Sequence, residues 1–168
     1  MSQNPIDKTS EEAGSAPCSM QEGDDVYMGY APRPELSHFL NELLEAERAG
    51  ARVTLETART AGAGAISKLM LDIQRDEARW CAMLTRNLKA LGAVPSPRTG
   101  AFYDKAMAIA DLSERLSFLN RGQGWVVRKL REMLPRVRDD GLHRDLSEML
   151  RSHEANIALA DEVASRAF

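Results

Sequence analysis

The chain has 168 residues, with 22 basic against 25 acidic side chains and a net charge of −3 at neutral pH. That length suits one domain whose core needs neither a metal nor a disulfide to fold, and the acidic balance argues against a general nucleic-acid binder. A hydrophobic fraction of 43% beside 28% charged residues excludes a wholly disordered chain. We expect no secretory leader and no membrane span, because no apolar run has the required length. The two cysteines lie in very different contexts, which disfavours a disulfide and predicts a cytoplasmic protein.

The first 34 residues differ in composition from the rest of the chain. They contain six acidic against two basic residues, four of the seven prolines and few large apolar side chains. Such a segment buries too little apolar surface to fold by itself. We therefore expect a flexible acidic N-terminal arm over 1–34 and one folded domain over 35–168.

Four helical patterns follow. Proline is absent from 36–94 and from 98–134, Ala, Leu, Glu and Arg are frequent, and β-branched runs are scarce, which favours helices over strands. The pattern predicts long helices over 35–60, 65–91, 111–138 and 140–166, and a long connection over 92–111 with a short helix in AFYDKAMAI.

The predicted ends of the last two long helices carry sequence signals. Asp111 and Glu114 have the spacing of a capping box at the start of the third helix. Pro135 is expected to kink or end that helix, and Asp139 or Asp140 is expected to cap the fourth.

Each long helix carries an apolar stripe at a spacing of three to four residues, and polar residues interrupt each stripe near its middle. The interrupting residues are Glu47, Glu77, Gln123, and His153 with Asn156. The middles of packed helices share one level of a bundle, so these side chains predict a polar layer inside an apolar core. Buried carboxylates are costly and raise each other's pKa. The layer therefore needs a metal ion, a shared proton or a closed hydrogen-bond network.

The chain resembles the ferritin-like superfamily over about 35–166. The 92–111 connection lies where that superfamily has its crossover. The stretches LNELLEAERAG, RDEARWCAML, FLNRGQGWVVRKL and SHEANIAL resemble an uncharacterised bacterial ferritin-like domain family. The resemblance implies an all-α fold, a ferritin-like antiparallel four-helix bundle with a long crossover between helices 2 and 3.

Di-iron members of this superfamily take one Glu from each of two helices and Glu-x-x-His from each of the other two. By resemblance, Glu47 matches the first-helix Glu and Glu77 the Glu of the second-helix motif, but Trp80 stands where that motif has His. Gln123 stands in place of the third-helix Glu, and His153 is the one imidazole of the layer. The two negative charges of Glu47 and Glu77 neutralise one divalent ion and not two.

Two interpretations of the layer stay open. In the first, Glu47, Glu77 and His153 hold one divalent ion, Fe or Mn before Zn, with Gln123 as a weak fourth ligand or a hydrogen-bond donor. In the second there is no metal, the amides of Gln123 and Asn156 donate to the carboxylates, and His153 is protonated between them.

These interpretations give two functional hypotheses. The first is a ferritin-like protein with a degenerate central carboxylate/His site that binds a single divalent metal ion. The second is a non-catalytic, metal-free bundle that acts as a protein-interaction or stress-associated module. The Trp80 replacement argues against catalysis, and no catalytic residue is assigned.

Partner classes are constrained by charge and aromatic content. A homodimer through a helix face fits this kind of bundle. The basic run from Arg121 to Arg138 is either a solvated face paired with neighbouring acids or a seat for an acidic protein partner. Nucleic acid is disfavoured, because aromatic residues are sparse and the net charge is negative.

Gly122 and Gly124 flank Gln123 inside the third helix, where each costs about 1 kcal/mol relative to Ala. We interpret them as room for the indole of Trp80, which would fill the space of a second metal ion. Cys81, next in sequence, is interpreted as a buried structural thiol.

Overall fold

A computed structural model of the chain describes residues 26–168. It contains five helices, α1 (Arg33–Thr60), α2 (Ala65–Ala90), α3 (Phe102–Met107), α4 (Leu112–Met133) and α5 (Asp140–Ala167), and a 3-10 turn at Leu134–Arg136. This described part has no strand. The prediction of an all-α fold is confirmed, and α3 is the short helix expected in the long connection.

The predicted end of the third long helix is wrong. Helix α4 stops at Met133, five residues before the predicted end at 138, and the chain continues as the 3-10 turn. Pro135 explains the early stop, because its ring clashes with the preceding helical turn and it has no N–H to donate. Helix α1 begins at Arg33, two residues earlier than predicted.

Two aspartates cap helices as the sequence indicates. Asp111 Oδ1 accepts a hydrogen bond from the backbone N–H of Glu114 at 2.8 Å. Asp139, rather than Asp140, caps α5, since its Oδ1 accepts from the N–H of Leu142 at 2.7 Å. Each cap satisfies a backbone donor that has no partner within its helix.

The predicted N-terminal arm lies mostly outside the described residues, which begin at 26. Ala31, near the end of the arm, is buried, and its N–H donates to the carbonyl oxygen of Arg136 at 2.8 Å. The chain is thus attached to the turn after α4 just before α1 begins.

The segment between α2 and α4 crosses the length of the bundle beside α1. Near its start, the Asn41 amide donates to the carbonyl oxygen of Val94 at 3.2 Å, and further on the N–H of Gly100 donates to Glu45 O at 3.2 Å. Beyond α3 the chain enters α4, where the Arg115 guanidinium lies 3.5 Å from the hydroxyl of Thr60 at the far end of α1. Helix α4 therefore runs parallel to α2 and antiparallel to α1.

Each long helix packs against two others. Helix α1 contacts α2 and α4, and α5 contacts the same two helices. Helices α1 and α5 therefore face each other across the bundle axis, and so do α2 and α4. We call these the diagonal pairs.

The buried apolar residues form two clusters, one toward each end of the bundle. The first includes Leu44, Trp80, Val126 and Met149, and the second includes Val53, Ile73, Leu119 and Ala160. On each long helix, the polar interruption identified in the sequence falls between the two clusters. The polar layer therefore separates two apolar compartments.

Candidate functional site

Of the five side chains predicted to form the polar layer, all but Asn156 are buried. Their exposed fractions are 2% for Glu47, 3% for Glu77, 6% for Gln123 and 1% for His153. Each comes from the middle of a different long helix. The structure thus confirms a buried polar layer and brings its members together in two hydrogen-bonded pairs.

The first pair joins α1 to α5. His153 Nε2 lies 3.1 Å from Glu47 Oε1, and its Nδ1 lies 3.0 Å from the carbonyl oxygen of Met149. A carbonyl can only accept, so Nδ1 carries a proton, and a second proton lies between Nε2 and the carboxylate. Burial opposes the charged imidazolium, but the charge and hydrogen bond of Glu47 outweigh it and the pKa of His153 is raised from 6.5. The contact with Glu47 therefore favours the protonated form of His153.

The second pair joins α2 to α4. The amide Nε2 of Gln123 donates to Glu77 Oε1 at 2.7 Å. Burial raises the pKa of Glu77 well above its ordinary value of 4.5, and the negative charge of Glu47 raises it further. Both effects favour the protonated, neutral form of Glu77.

Thr54 completes the second pair. Its hydroxyl donates to the carbonyl oxygen of Gly50 at 2.9 Å, and its Oγ1 lies 3.4 Å from Glu77 Oε2. The contact of the Thr54 hydroxyl with Glu77 lowers the pKa of this carboxyl group and partly offsets the effect of burial. Thr54 lies on the buried face of α1, where it is 0% exposed, and its position in the sequence does not reveal this contact.

Both pairs follow the diagonals of the bundle. Glu47 and His153 belong to one diagonal pair of helices, and Glu77 and Gln123 belong to the other. The two hydrogen bonds therefore cross near the bundle axis. Periodicity places each residue on the buried face of its helix, but it does not say which helix lies opposite.

Two oxygen atoms of the layer have no hydrogen-bond donor. Glu47 Oε2 and Gln123 Oε1 are fully buried and have no hydrogen-bond partner. Each such oxygen costs desolvation energy without a compensating bond. Among residues 26–168, no three His, Cys, Asp or Glu side chains lie close enough together to share an ion, since the layer residues contact one another in pairs.

Asn156 does not donate to the carboxylates of the layer as expected. Its amide donates to Asp76 Oδ2 at 3.2 Å, and Ser152 donates to the same oxygen at 3.1 Å. These three partly buried residues form a separate contact between α2 and α5. Asp76 immediately precedes Glu77, and its sequence carries no signal that distinguishes it from a solvent-exposed acid.

The interpretation of Gly122 and Gly124 as room for Trp80 is wrong. A Cβ atom on Gly122 would lie 2.7 Å from the ring of Phe102 in α3, whereas one on Gly124 would approach only Arg128, at 3.8 Å. The absence of a side chain at Gly122 therefore allows the Phe102 ring of the crossover to pack directly on α4. Trp80 packs in the first apolar cluster, where it is 2% exposed.

Gly50 is the glycine that makes room within the layer. A Cβ atom there would lie 2.6 Å from Glu77 Oε1. The carboxyl group of Glu77 therefore lies directly against the backbone of α1. The sequence contains a signal for this close contact, because Gly50 follows Glu47 by one turn on the buried stripe of α1.

A cavity of about 300 Å³ reaches the layer from the side of the crossover. All four layer residues line it, and so do carboxylate side chains nearer the surface, Glu42 and Glu45. The remaining wall is mainly apolar and includes Ala46, Phe102, Leu119, Trp125 and Val126. The sequence does not predict this cavity, because the shape of the cavity depends on how α3 packs against α4.

Two other predictions concern side chains near the layer. Burial raises the pKa of the Cys81 thiol to about 12, so it is protonated and unreactive at neutral pH, as expected of a structural thiol. The basic run is paired with acids of the same chain, including Lys129 with Glu42 at 3.0 Å and Arg131 with Glu154 at 2.6 Å.

The donor set fits one divalent cation better than two. Two carboxylates, an imidazole and an amide oxygen suit a single ion such as Fe(II) or Mn(II). Nδ1 of His153 is held by Met149 O, which leaves Nε2 as the ligating atom, a common arrangement in metal sites. Trp80 offers only an N–H donor and cannot ligate, so the layer lacks the six ligands of a di-iron site.

The order of the helices, with a crossover between two antiparallel pairs, defines a ferritin-like bundle. The structure is similar to a crystal structure described as "ferritin like, diiron-carboxylate proteins from Bacillus anthracis str. Ames". The TM-score is 0.57 at 16% sequence identity, covering 80% of this chain and 93% of that one. At this identity the similarity shows a shared fold.

The chain belongs to the family described as "Domain of unknown function (DUF6306)", which matches residues 34–162. A comparison with curated proteins finds no match. Within residues 26–168, no helix combines the length and the apolar character needed to cross a bilayer.

Proposed function

We propose that this protein binds a single divalent metal ion at the polar layer. Glu47, Glu77 and His153 would be the ligands, with the amide oxygen of Gln123 as a weaker fourth. In the described residues 26–168 these side chains do not lie close enough together to share an ion, so binding requires the two hydrogen-bonded pairs to open and the side chains to turn toward it. The observation that carries the proposal is the surplus of buried acceptors, since Glu47 Oε2 and Gln123 Oε1 have no partner. A cation is what a buried, acceptor-rich site lacks.

The charge of the layer supports one ion. With an imidazolium, one carboxylate and one neutral acid, the layer is electrically neutral without metal. With a neutral imidazole, two carboxylates and one divalent ion, it is neutral again. One ion therefore replaces two protons, and binding should release protons and tighten as the pH rises. A second ion would leave an uncompensated buried charge.

The similar structure from Bacillus anthracis is described as a di-iron-carboxylate protein, which makes iron the first ion to test and manganese the second. Such an ion would supply a Lewis acid and a one-electron redox centre. The surrounding chain would orient the His153 ring through Met149, hold Glu77 through Gln123 and Thr54, and leave access through the cavity.

The test is elemental analysis of untagged protein purified without chelator and after reconstitution with Fe(II), Mn(II) or Zn(II). We expect about one equivalent in the unaltered chain and under about a tenth in Glu77→Gln. Glu162→Gln is the matched control, because this carboxylate is exposed on α5 and pairs with Arg166. No metal after reconstitution, or two equivalents, would contradict the proposal.

A second candidate is the metal-free bundle that acts through protein contacts. It is favoured by the two diagonal hydrogen bonds, which satisfy much of the layer without an ion. Elemental analysis separates the two candidates, because a metal-free bundle requires that neither the unaltered chain nor Glu77→Gln binds metal.

A further inference from the structure

The cavity beside the layer is much larger than an ion requires. Its volume is about 300 Å³, whereas a water molecule occupies about 30 Å³ of liquid. An ion with one or two waters would fill only a small part of it. The volume lies at the lower end of the range for small-molecule sites, about 300–1,000 Å³.

The wall of the cavity favours a ligand with an apolar body. The aromatic rings of Phe102 and Trp125 line it together with Leu119 and Val126. Phe102 is held in place by stacking on Phe118, with ring centroids 4.8 Å apart, and by the space at Gly122. This apolar surface is therefore preformed.

The polar groups of the cavity favour a ligand with a hydrogen-bond-donating end. Four carboxyl side chains line it, and no Lys or Arg is among the described residues of the lining. Exposure falls from Glu42 and Glu45 at the mouth, 37% and 20%, to 2% for Glu47 at the inner end. At the mouth, Lys129 pairs with Glu42 and Arg98 pairs with Glu45, so the acceptors of the cavity without a partner lie at its inner end.

The inner end requires a donor. The unpartnered Glu47 Oε2 and Gln123 Oε1 belong to lining residues, and both atoms can only accept. An ammonium group has three N–H donors and is also attracted to aromatic faces. An anionic ligand would bring further acceptors to an inner end whose unpartnered atoms can only accept.

We propose that this cavity binds a small organic ammonium, a primary amine with a compact apolar body, whose charged end is directed to Glu47 and Gln123. The site does not need the metal ion of the proposed function. The amine and the ion would satisfy the same buried oxygens, so they would compete for the layer.

The test uses three probes with the same ring and different charge, namely benzylamine, benzyl alcohol and benzoate. Each is titrated into chelator-treated, full-length protein, and amide chemical shifts of cavity residues are followed by NMR. We expect benzylamine to bind, benzyl alcohol to bind about tenfold more weakly, and benzoate to cause no shift, because electrostatic complementarity decides among isosteric ligands. Equal binding of benzoate and benzylamine, or no binding of any probe, would overturn the proposal.

Ala46→Leu provides a matched test by filling the cavity. Ala46 is a lining residue on α1, and Leu keeps a high helix propensity. The control is Ala155→Leu on the exposed face of α5. We expect benzylamine binding to weaken at least about tenfold in the first variant and to be unchanged in the second. Unchanged binding in a folded Ala46→Leu protein would place the amine elsewhere. If Ala46→Leu does not fold, the probe series on the unaltered protein still tests the amine proposal. That series is run without metal, so its failure is distinguishable from a failure of the metal proposal.

Discussion

Replacing Gly122 and Gly124 separately by Ala tests whether the crossover is packed on α4 as described. Both glycines lie in the same helix, two residues apart, and both exchanges add the same methyl group. The environments differ sharply. At Gly122 the new Cβ would lie 2.7 Å from two ring carbons of Phe102, and at Gly124 its nearest neighbour is Arg128 Nη1 at 3.8 Å.

The magnitudes follow from two opposing terms. Either exchange gains about 1 kcal/mol of helix propensity. Gly124→Ala meets only ordinary van der Waals contact, so the free energy of unfolding should rise by about 0.5–1 kcal/mol. Gly122→Ala overpacks the contact with Phe102, which costs about 1–3 kcal/mol, so its net effect should lie between zero and a loss of about 2 kcal/mol.

Urea denaturation followed by circular dichroism measures both variants, and calorimetry gives their melting temperatures. The two variants should differ by about 1–3 kcal/mol, which corresponds to roughly 2–4 °C per kcal/mol for a chain of this size. Adding Phe102→Leu to Gly122→Ala should recover part of the loss, and a double-mutant cycle gives the coupling. Equal stabilisation by both single exchanges would refute the packing of α3 on α4.

Other predictions concern the layer and the helix ends. In metal-free protein at pH 7, Glu77→Gln replaces a neutral acid by a neutral amide that can donate to Thr54, so the free energy of unfolding should fall by less than about 1 kcal/mol or rise; a loss of several kcal/mol in urea would contradict a protonated Glu77. The pKa values of Glu77 and His153 are raised from 4.5 and 6.5. Both groups therefore bind more protons in the folded than in the unfolded state, and the stability they contribute is lost as the pH rises through their folded pKa values. Melting temperatures of metal-free protein should therefore fall as the pH rises above the ordinary pKa values of 4.5 and 6.5, and a rise would show that these groups are not protonated. Asp139→Ala should cost about 1 kcal/mol through the lost cap of α5, and an unchanged urea midpoint would show that the cap contributes nothing.

The sequence predicts the helices and the level of the polar layer well, because both depend on local periodicity. Glu47, Glu77, Gln123 and His153 interrupt apolar stripes, and a helix with a 3.6-residue period places such residues on its buried face. Pro135 shows the limit of this reasoning. The apolar stripe continues to Val137, which is buried, although the helix itself ends at Met133.

The partner of each buried side chain and the space between helices depend on the tertiary structure. The sequence alone therefore does not predict them. The partner of Glu77 depends on which helices face each other, and this is set by the crossover. Asn156 satisfies the expectation that an amide contacts an acid, but the acid is Asp76. Gly122 indicated a close approach in the sequence, but the approaching group is Phe102, which lies twenty residues earlier in the chain.

The diagonal arrangement of the layer has a consequence for how the two halves of the chain recognise each other. The α1–α2 hairpin supplies both carboxyl groups, and the α4–α5 hairpin supplies the imidazole and the amide that bind them. Two copies of the first hairpin brought together would bury four carboxyl groups without these partners, and two copies of the second would pair imidazoles with amides. Like halves from different molecules therefore exclude one another. The layer disfavours assemblies in which like halves pair with each other, by an electrostatic mismatch that a purely apolar core does not provide.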